Sequence, residues 1–370
     1  MGPPRDVASL LDSCLRDLER RIVPDEEAKL EEAWREFAAG SGARVSSGIR
    51  MGSVTRDGVF SPRRARPLPP GIEWPRVTVN EALADPDLMA LQQYATCSRM
   101  LARGSGELMC VRANYGTGIL PSLFGVRPFV MEDSADILPT NWPLDGGIWS
   151  VAGIVSGGVP DFNTELFTKC IGIGKKFVEI SRKHPRIGRW VHIYHPDLQG
   201  PLDVCELLWG SDLFIDLYEK PGLVKGLLEI VTGTYVAVMK EWRRVVPTPR
   251  GTAVHWSMMH AGTIMLRNDS AMNLSPGMYA EFSRPYDAHL LDEFGGGGIH
   301  SCGRVDHYIA DAAGIPGLGA FNISQPHLND MEKVFRETVD RGICLIGLDR
   351  KAVDEAVARG RDLRGLVHCW

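Results

Sequence analysis

A chain of 370 residues, 44% hydrophobic and 24% charged, is long and apolar enough to bury a large core. Its formal net charge of -5 gives no electrostatic case for nucleic acid, and the short basic stretch Arg63-Arg64-Ala65-Arg66 reads as a solvated loop. Eight cysteines without a C-x-x-C pair point to reduced thiols in a cytoplasmic protein, and neither a membrane span nor a signal-peptide core is evident.

Two helices are expected first. Leu11, Leu15, Leu18 and Ile22 share one helical face, and after Pro24-Asp25-Glu26 the pattern resumes with Leu30, Ala33, Trp34 and Phe37 until Gly40. From Ser41 to Pro75 the composition turns to Ser, Gly, Arg and Pro, which predicts an irregular wrap shaping a pocket rim or a dimer contact. Residues 1-75 therefore read as an N-terminal helical arm, and residues 76-370 as the main domain. In that domain, β-branched runs predict strands at Leu108 to Ala113, Trp190 to Tyr194, Thr263 to Arg267, Gly298 to Ser301, Gly319 to Ile323, Ile343 to Gly347 and Leu366 to Cys369. Helices are expected at Ser275 to Phe294, Asp306 to Ala313, Asn329 to Arg341 and Lys351 to Arg359. Such alternation predicts an α/β fold, a (β/α)8 TIM-type barrel rather than an open doubly wound sheet. The dinucleotide alternative is weak, because Tyr115-Gly116-Thr117-Gly118-Ile119-Leu120-Pro121 has Pro where a third glycine belongs.

In a barrel, active sites gather where strands run into the following loops. Asp269, His300 with Cys302, Asn322 with Gln325, Asp349 and Cys369 each follow or end one of five successive strands. Gly295-Gly296-Gly297-Gly298 opens onto Ile299-His300-Ser301-Cys302-Gly303, where an imidazole and a thiol two residues apart can bite one soft or borderline cation. That pairing points to zinc; its structural alternative is a buried polar pair on a glycine-rich turn. For a third ligand, Cys344 reads as a core thiol within an apolar run. Cys369 is either a ligand or a terminal thiol, and His307 and His368 read as surface or supporting groups.

Taken with Arg267-Asn268-Asp269-Ser270-Ala271-Met272-Asn273-Leu274-Ser275-Pro276, Phe282-Ser283-Arg284-Pro285-Tyr286 and Asp197-Leu198-Gln199-Gly200-Pro201-Leu202-Asp203, that motif resembles the uroporphyrinogen decarboxylase superfamily from about Arg189 onward. The superfamily is an α/β barrel that includes porphyrinogen decarboxylases and zinc-dependent methyltransferases moving a methyl group from a corrinoid to coenzyme M. The decarboxylases resemble one another in an N-terminal Arg-Gln-Ala-Gly-Arg-Tyr motif that is absent here. The methyltransferase branch carries His-x-Cys followed much later by Cys, which His300, Cys302 and Cys369 match in order.

The resemblance implies zinc on His300, Cys302 and Cys369, holding an acceptor thiolate ready to attack a cobalt-bound methyl group. Asp269 would orient a ligand or position substrate, and Arg267 would pair with an anionic group of the acceptor; the alternative is an ion pair bracing the barrel. Tyr115, Asn322, Gln325 and Asp349 are candidate substrate-binding residues, Tyr115 on a glycine-bent loop that either lines the mouth or simply packs Phe124 inward. Asp287-Ala288-His289-Leu290-Leu291-Asp292 lacks the glycine of a corrinoid-binding Asp-x-His-x-x-Gly, so the methyl-corrinoid would arrive on a separate protein. A homodimer is expected by the same resemblance. Two other functions remain open: decarboxylation of a tetrapyrrole, and noncatalytic binding of a small molecule.

Overall fold

The computed structural model describes residues 6-40, 54-248 and 250-370. Twelve short strands occur among them: β1 (Val59–Phe60), β2 (Cys110–Val111), β3 (Pro128–Phe129), β4 (Thr140–Asn141), β5 (His192–Ile193), β6 (Thr252–His255), β7 (Met258–Ala261), β8 (Ile264–Arg267), β9 (Gly297–Ser301), β10 (Leu318–Ile323), β11 (Cys344–Leu345) and β12 (Val367–His368). Six pair in parallel in the order β1-β12-β11-β10-β9-β8, and β2 pairs in parallel with β5. Each expected strand is present in part. Part of the expected irregular wrap, 41-53, lies outside the described residues, as does most of the segment read for a signal peptide, but β1 gives the remainder a regular strand.

The architecture is a mixed α/β fold built on a parallel sheet, and among the described residues the parallel strands pair as separate ladders of six and two, without the closed ring of the expected barrel. Between β5 and β8 the link is made by other means. The Met265 amide donates to Nε2 of His195 at 3.1 Å, and the Gly200 amide to the Arg267 carbonyl at 2.9 Å. A side chain has taken a main-chain donor that a continuous ladder would have used.

The antiparallel hairpin β6-β7 was not expected from the sequence. It pairs Thr252 with Ala261 through His255 with Met258, which leaves Trp256 and Ser257 as a two-residue turn. Both have positive φ, 44° and 68°. That is the twist a tight hairpin favours, but with glycine or asparagine normally supplying it. The hairpin is sunk into the fold: the Ser257 carbonyl accepts from the Leu108 amide at 2.9 Å, and a Cβ on Gly347 would meet Met258 Sδ at 2.8 Å.

The first two helices, Val7–Arg21 and Pro24–Ala38, form as expected. Trp34 and Phe37 of the second pack with Phe60 and His368 into an aromatic cluster over β1 and β12, and buried Glu27 holds Arg64 at 2.7 Å. Arg64 is thus a buried ion-pair partner, not part of a solvated loop. The expected helix from Ser275 to Phe294 breaks into Pro276–Phe282 and Arg284–Phe294. Pro285 lacks the amide that would have continued the first helix, and instead sits in the opening turn of the second. Among the described residues one helix, Pro221–Val245, is long and apolar enough to cross a membrane, which corrects the reading that no run has that length. Val224, Leu227, Leu228, Val231, Tyr235, Val238, Met239 and Trp242 are buried at helical spacing, so one face of it packs on the fold.

Candidate metal centre

Strands β8 and β9 run side by side with Arg267 opposite His300, so the residues just beyond their ends meet. The glycine run has a packing role before any chemical one. Gly295 and Gly296 (φ 76° and 86°) end the preceding helix, and a Cβ on Gly297 would stand 2.1 Å from the Ile264 carbonyl oxygen. Only bare backbone lets β9 approach β8 this closely.

Asp269, His300 and Cys302 form a cluster whose donor atoms all lie within 4.8 Å of one another. Nε2 of His300 is 3.5 Å from Cys302 Sγ and 3.5 Å from Asp269 Oδ1. The tautomer follows from the network. Asn322 donates through Nδ2 to the Ile346 carbonyl at 2.5 Å, so its Oδ1, 2.6 Å from His300 Nδ1, must accept. Nδ1 therefore carries the proton, and the Nε2 lone pair faces the thiol and the carboxylate. A histidine prepared for a metal is held in this way.

Electrostatics agree. Burial lowers the His300 pKa against the raising effect of Asp269, favouring the neutral ligand form. Burial, and then Asp269, raise the Cys302 thiol, so in the absence of a cation the sulfur keeps its proton. A divalent cation would reverse that preference. One imidazole, one sulfur and one carboxylate suit a borderline metal such as zinc, and three protein donors leave a coordination position for a guest.

Asp269 is itself held. Its amide donates to Asp203 Oδ2 at 3.0 Å, the Ser270 amide to Asp203 Oδ1 at 2.7 Å, and its own Oδ1 accepts from the Cys302 amide at 2.8 Å. Asp203 is buried, and burial and Asp269 push its pKa up to about 7. Next to it, Asn268 donates to Asp287 at 2.7 Å and to Ser283 at 2.9 Å, tying the strand end to the following helix.

Arg267 pairs with Asp197 at 2.7 Å, and Arg112 engages the same carboxylate, yet Nε of Arg267 is buried without a hydrogen-bond partner among the described residues. The Trp256 ring lies 5.3 Å from the Arg267 guanidinium and 5.0 Å from the His300 ring. Trp256 is half-buried although His255, Ser257, Met258 and Met259 beside it are buried. The strained turn thus presents an indole at the edge of the metal centre.

The other expected site residues divide. Gln325 accepts from the Gly303 amide and so fixes the turn after Cys302. Asp349 caps the helix Arg350–Ala358, accepting from the Lys351 amide at 3.0 Å and the Ala352 amide at 3.3 Å. Tyr115 is buried against a separate cavity of about 290 Å³ with Pro139, Thr140 and Thr164. Cys369 stands outside the cluster: the strand sends His368 into the aromatic cluster, and the Cys369 thiol bonds the Arg350 guanidinium near Asp349. Asp269, not Cys369, completes the gathered set. Cys344 is a core thiol donating to the Phe37 carbonyl at 3.3 Å, and His307 bonds the Leu274 carbonyl at 2.8 Å. Sequence reasoning assigned no role to Trp256, Arg112 or Asp203, although Asp203 ends a string that carried the resemblance.

The chain matches no protein-family model and no curated protein. Among solved structures it is similar to a methyltransferase from Methanosarcina mazei, with a TM-score of 0.56 and 16% identity over 79% of this chain and 81% of that one. At that identity the likeness is one of fold.

Proposed function

We propose that this protein is a zinc-dependent methyltransferase, with the metal on His300, Cys302 and Asp269, and that it moves a methyl group from a methyl-corrinoid on a separate protein to a thiol acceptor. The observation that carries the reading is the three-donor cluster with the bare His300 Nε2 turned inward. The fold shared with a methyltransferase supports it.

Bound there, the metal would supply the positive charge that keeps an acceptor thiol deprotonated at neutral pH while leaving the sulfur nucleophilic. The chain's own groups do the rest. Asn322 holds the His300 ring, Asp203 holds the Asp269 backbone, and Gln325 holds the turn after Cys302. The unpartnered Nε of Arg267 offers a charged donor to an anionic acceptor, and the Trp256 ring lies beside the same guanidinium. A tetrapyrrole with several carboxylates fits less well, because Arg112 and Arg267 already share Asp197.

The test pairs metal analysis with turnover. Purified protein should hold about one zinc per chain and lose it in His300→Ala, and the loaded protein should demethylate free methylcobalamin in the presence of 2-mercaptoethanesulfonate. A native protein that binds no zinc from a stoichiometric supply would overturn the proposal.

A further inference from the structure

A cleft of about 440 Å³ opens on the flank of the fold, lined by residues of β5 and β6 and by Thr263 just before β8. It lies where β5 and β8 do not pair, and none of Asp269, His300 and Cys302 lines it. Three imidazoles stand along it: His192, His195 and His255.

Hydrogen bonds settle the tautomers of the inner rings. A carbonyl can only accept, so His260 Nδ1, 2.8 Å from the Ala261 oxygen, carries a proton. Burial pushes the pKa of His260 down to about 4, so the ring is neutral and its Nε2 is a bare acceptor. His255 Nδ1, 2.9 Å from that Nε2, must then be the donor. The remaining nitrogen of His255, Nε2, is a lone pair on a ring only 1% exposed, with no hydrogen-bond partner among the described residues. Its neighbour His195 is satisfied at both nitrogens, donating to the Pro196 carbonyl at 2.7 Å and accepting from the Met265 amide. Ring contacts with His195 and Tyr194, at 4.3 and 5.0 Å, fix the His255 plane. A buried acceptor left bare is costly unless something donates to it.

The rim has the opposite character. Arg35 and Arg189 both bond Glu31, at 2.5 and 2.8 Å, and Arg182 has no ion pair among the described residues. Three guanidinium groups therefore face one carboxylate. Between rim and floor the walls are apolar, with Val191, Ile193, Val246 and Val254. A cationic rim, an apolar passage and one deep acceptor describe a guest with three matching parts.

We propose that this cleft is a second binding site, for a small organic anion with an apolar or aromatic body and a hydroxyl or N–H donor at the far end. The anion sits against Arg182 and its neighbours, and the donor meets Nε2 of His255. The site shares no lining residue with the cluster of Asp269, His300 and Cys302.

The probes are 4-hydroxybenzoate, benzoate, which lacks the donor, and inorganic phosphate, which is anion alone. Each is titrated by calorimetry into the full chain and into His255→Phe and Arg182→Gln. In the unaltered protein 4-hydroxybenzoate should bind roughly tenfold more tightly than benzoate, the usual value of one buried hydrogen bond. His255→Phe should abolish that advantage, and Arg182→Gln should weaken both aromatic probes, with zinc content unchanged in each variant. Should His255→Phe fail to fold, the comparison of probes on the unaltered protein and on the surface variant Arg182→Gln still decides. The proposal is overturned if the aromatic probes do not bind, bind equally, or bind no better than phosphate.

Discussion

Replacing Asn322 with alanine tests the central feature of the metal site, the fixed tautomer of His300. The amide makes two short contacts, 2.6 Å to His300 Nδ1 and 2.5 Å to the Ile346 carbonyl, at a position only 8% exposed. Loss of a partner that orients a ligand histidine typically weakens metal binding about 10- to 100-fold, or about 1.4 to 2.7 kcal/mol. Leaving the Ile346 carbonyl without its donor costs about 1 to 3 kcal/mol of folding stability as well. With an unfolding entropy near 2.1 cal/mol/K per residue over 370 residues, that is a fall in Tm of about 1 to 4 °C. Zinc affinity would be read by competition with a chromophoric chelator, and Tm by calorimetry on the metal-free protein. Asn322→Asp, which keeps an acceptor facing Nδ1, should restore affinity. If Asn322→Ala binds zinc as the unaltered protein does, the His300 ring is held by something else and the tautomer argument fails.

Other perturbations separate the roles of neighbouring groups. Cys369→Ser should leave zinc stoichiometry unchanged whereas Asp269→Ala should reduce it, as measured by mass spectrometry of the metal; the reverse result would restore Cys369 as the third ligand. Asp203→Ala frees two backbone donors that position Asp269, and zinc affinity should fall about tenfold in the same chelator competition. Trp256→Ala should retain zinc but lower kcat/KM for an anionic thiol about 3- to 10-fold, since only the ring contacts with Arg267 and His300 are lost; unchanged kinetics would make the indole mere filling. Burial pushes Asp287 up to about 7, above the ordinary value near 3.9, so between those limits the folded state holds a proton that the unfolded chain has released. Its contribution is full below about pH 4 and is lost as pH rises to about 7, by at most about 4 kcal/mol. Urea unfolding of Asp287→Asn at pH 5 and pH 8 should show a smaller drop than the unaltered protein.

Much of the fold was legible because the strands that carry it obey simple patterns. β9 and β10 read directly as apolar runs between a glycine break and a polar end, and His300, Cys302 and Asn322 fell at those ends. The hairpin β6-β7 did not, since its turn is Trp256-Ser257, and nothing local announces a left-handed tryptophan. The gap between β5 and β8 was equally hidden, because it depends on His195 reaching the Met265 amide from 70 positions earlier in the chain. Cys369 shows a third limit. Its place beside β12 was foreseen, but which face of the strand its sulfur takes is decided by where His368 finds aromatic partners. Asp269 was assigned the task of orienting a ligand, and only three-dimensional distances show its carboxylate among the donors.

The pairing of β1 with β12 joins Val59 to Val367 and Phe60 to His368. During synthesis at about 5 to 20 residues per second, the earlier strand therefore waits on the order of 15 to 60 s for its neighbour to be translated. Throughout that interval Val59, Phe60, Trp34 and Phe37 lack the covering they have in the finished molecule. The nascent chain thus carries a sticky aromatic surface that must be sheltered from aggregation, and folding yield should respond to chaperone supply more strongly than the stability of the final structure would indicate.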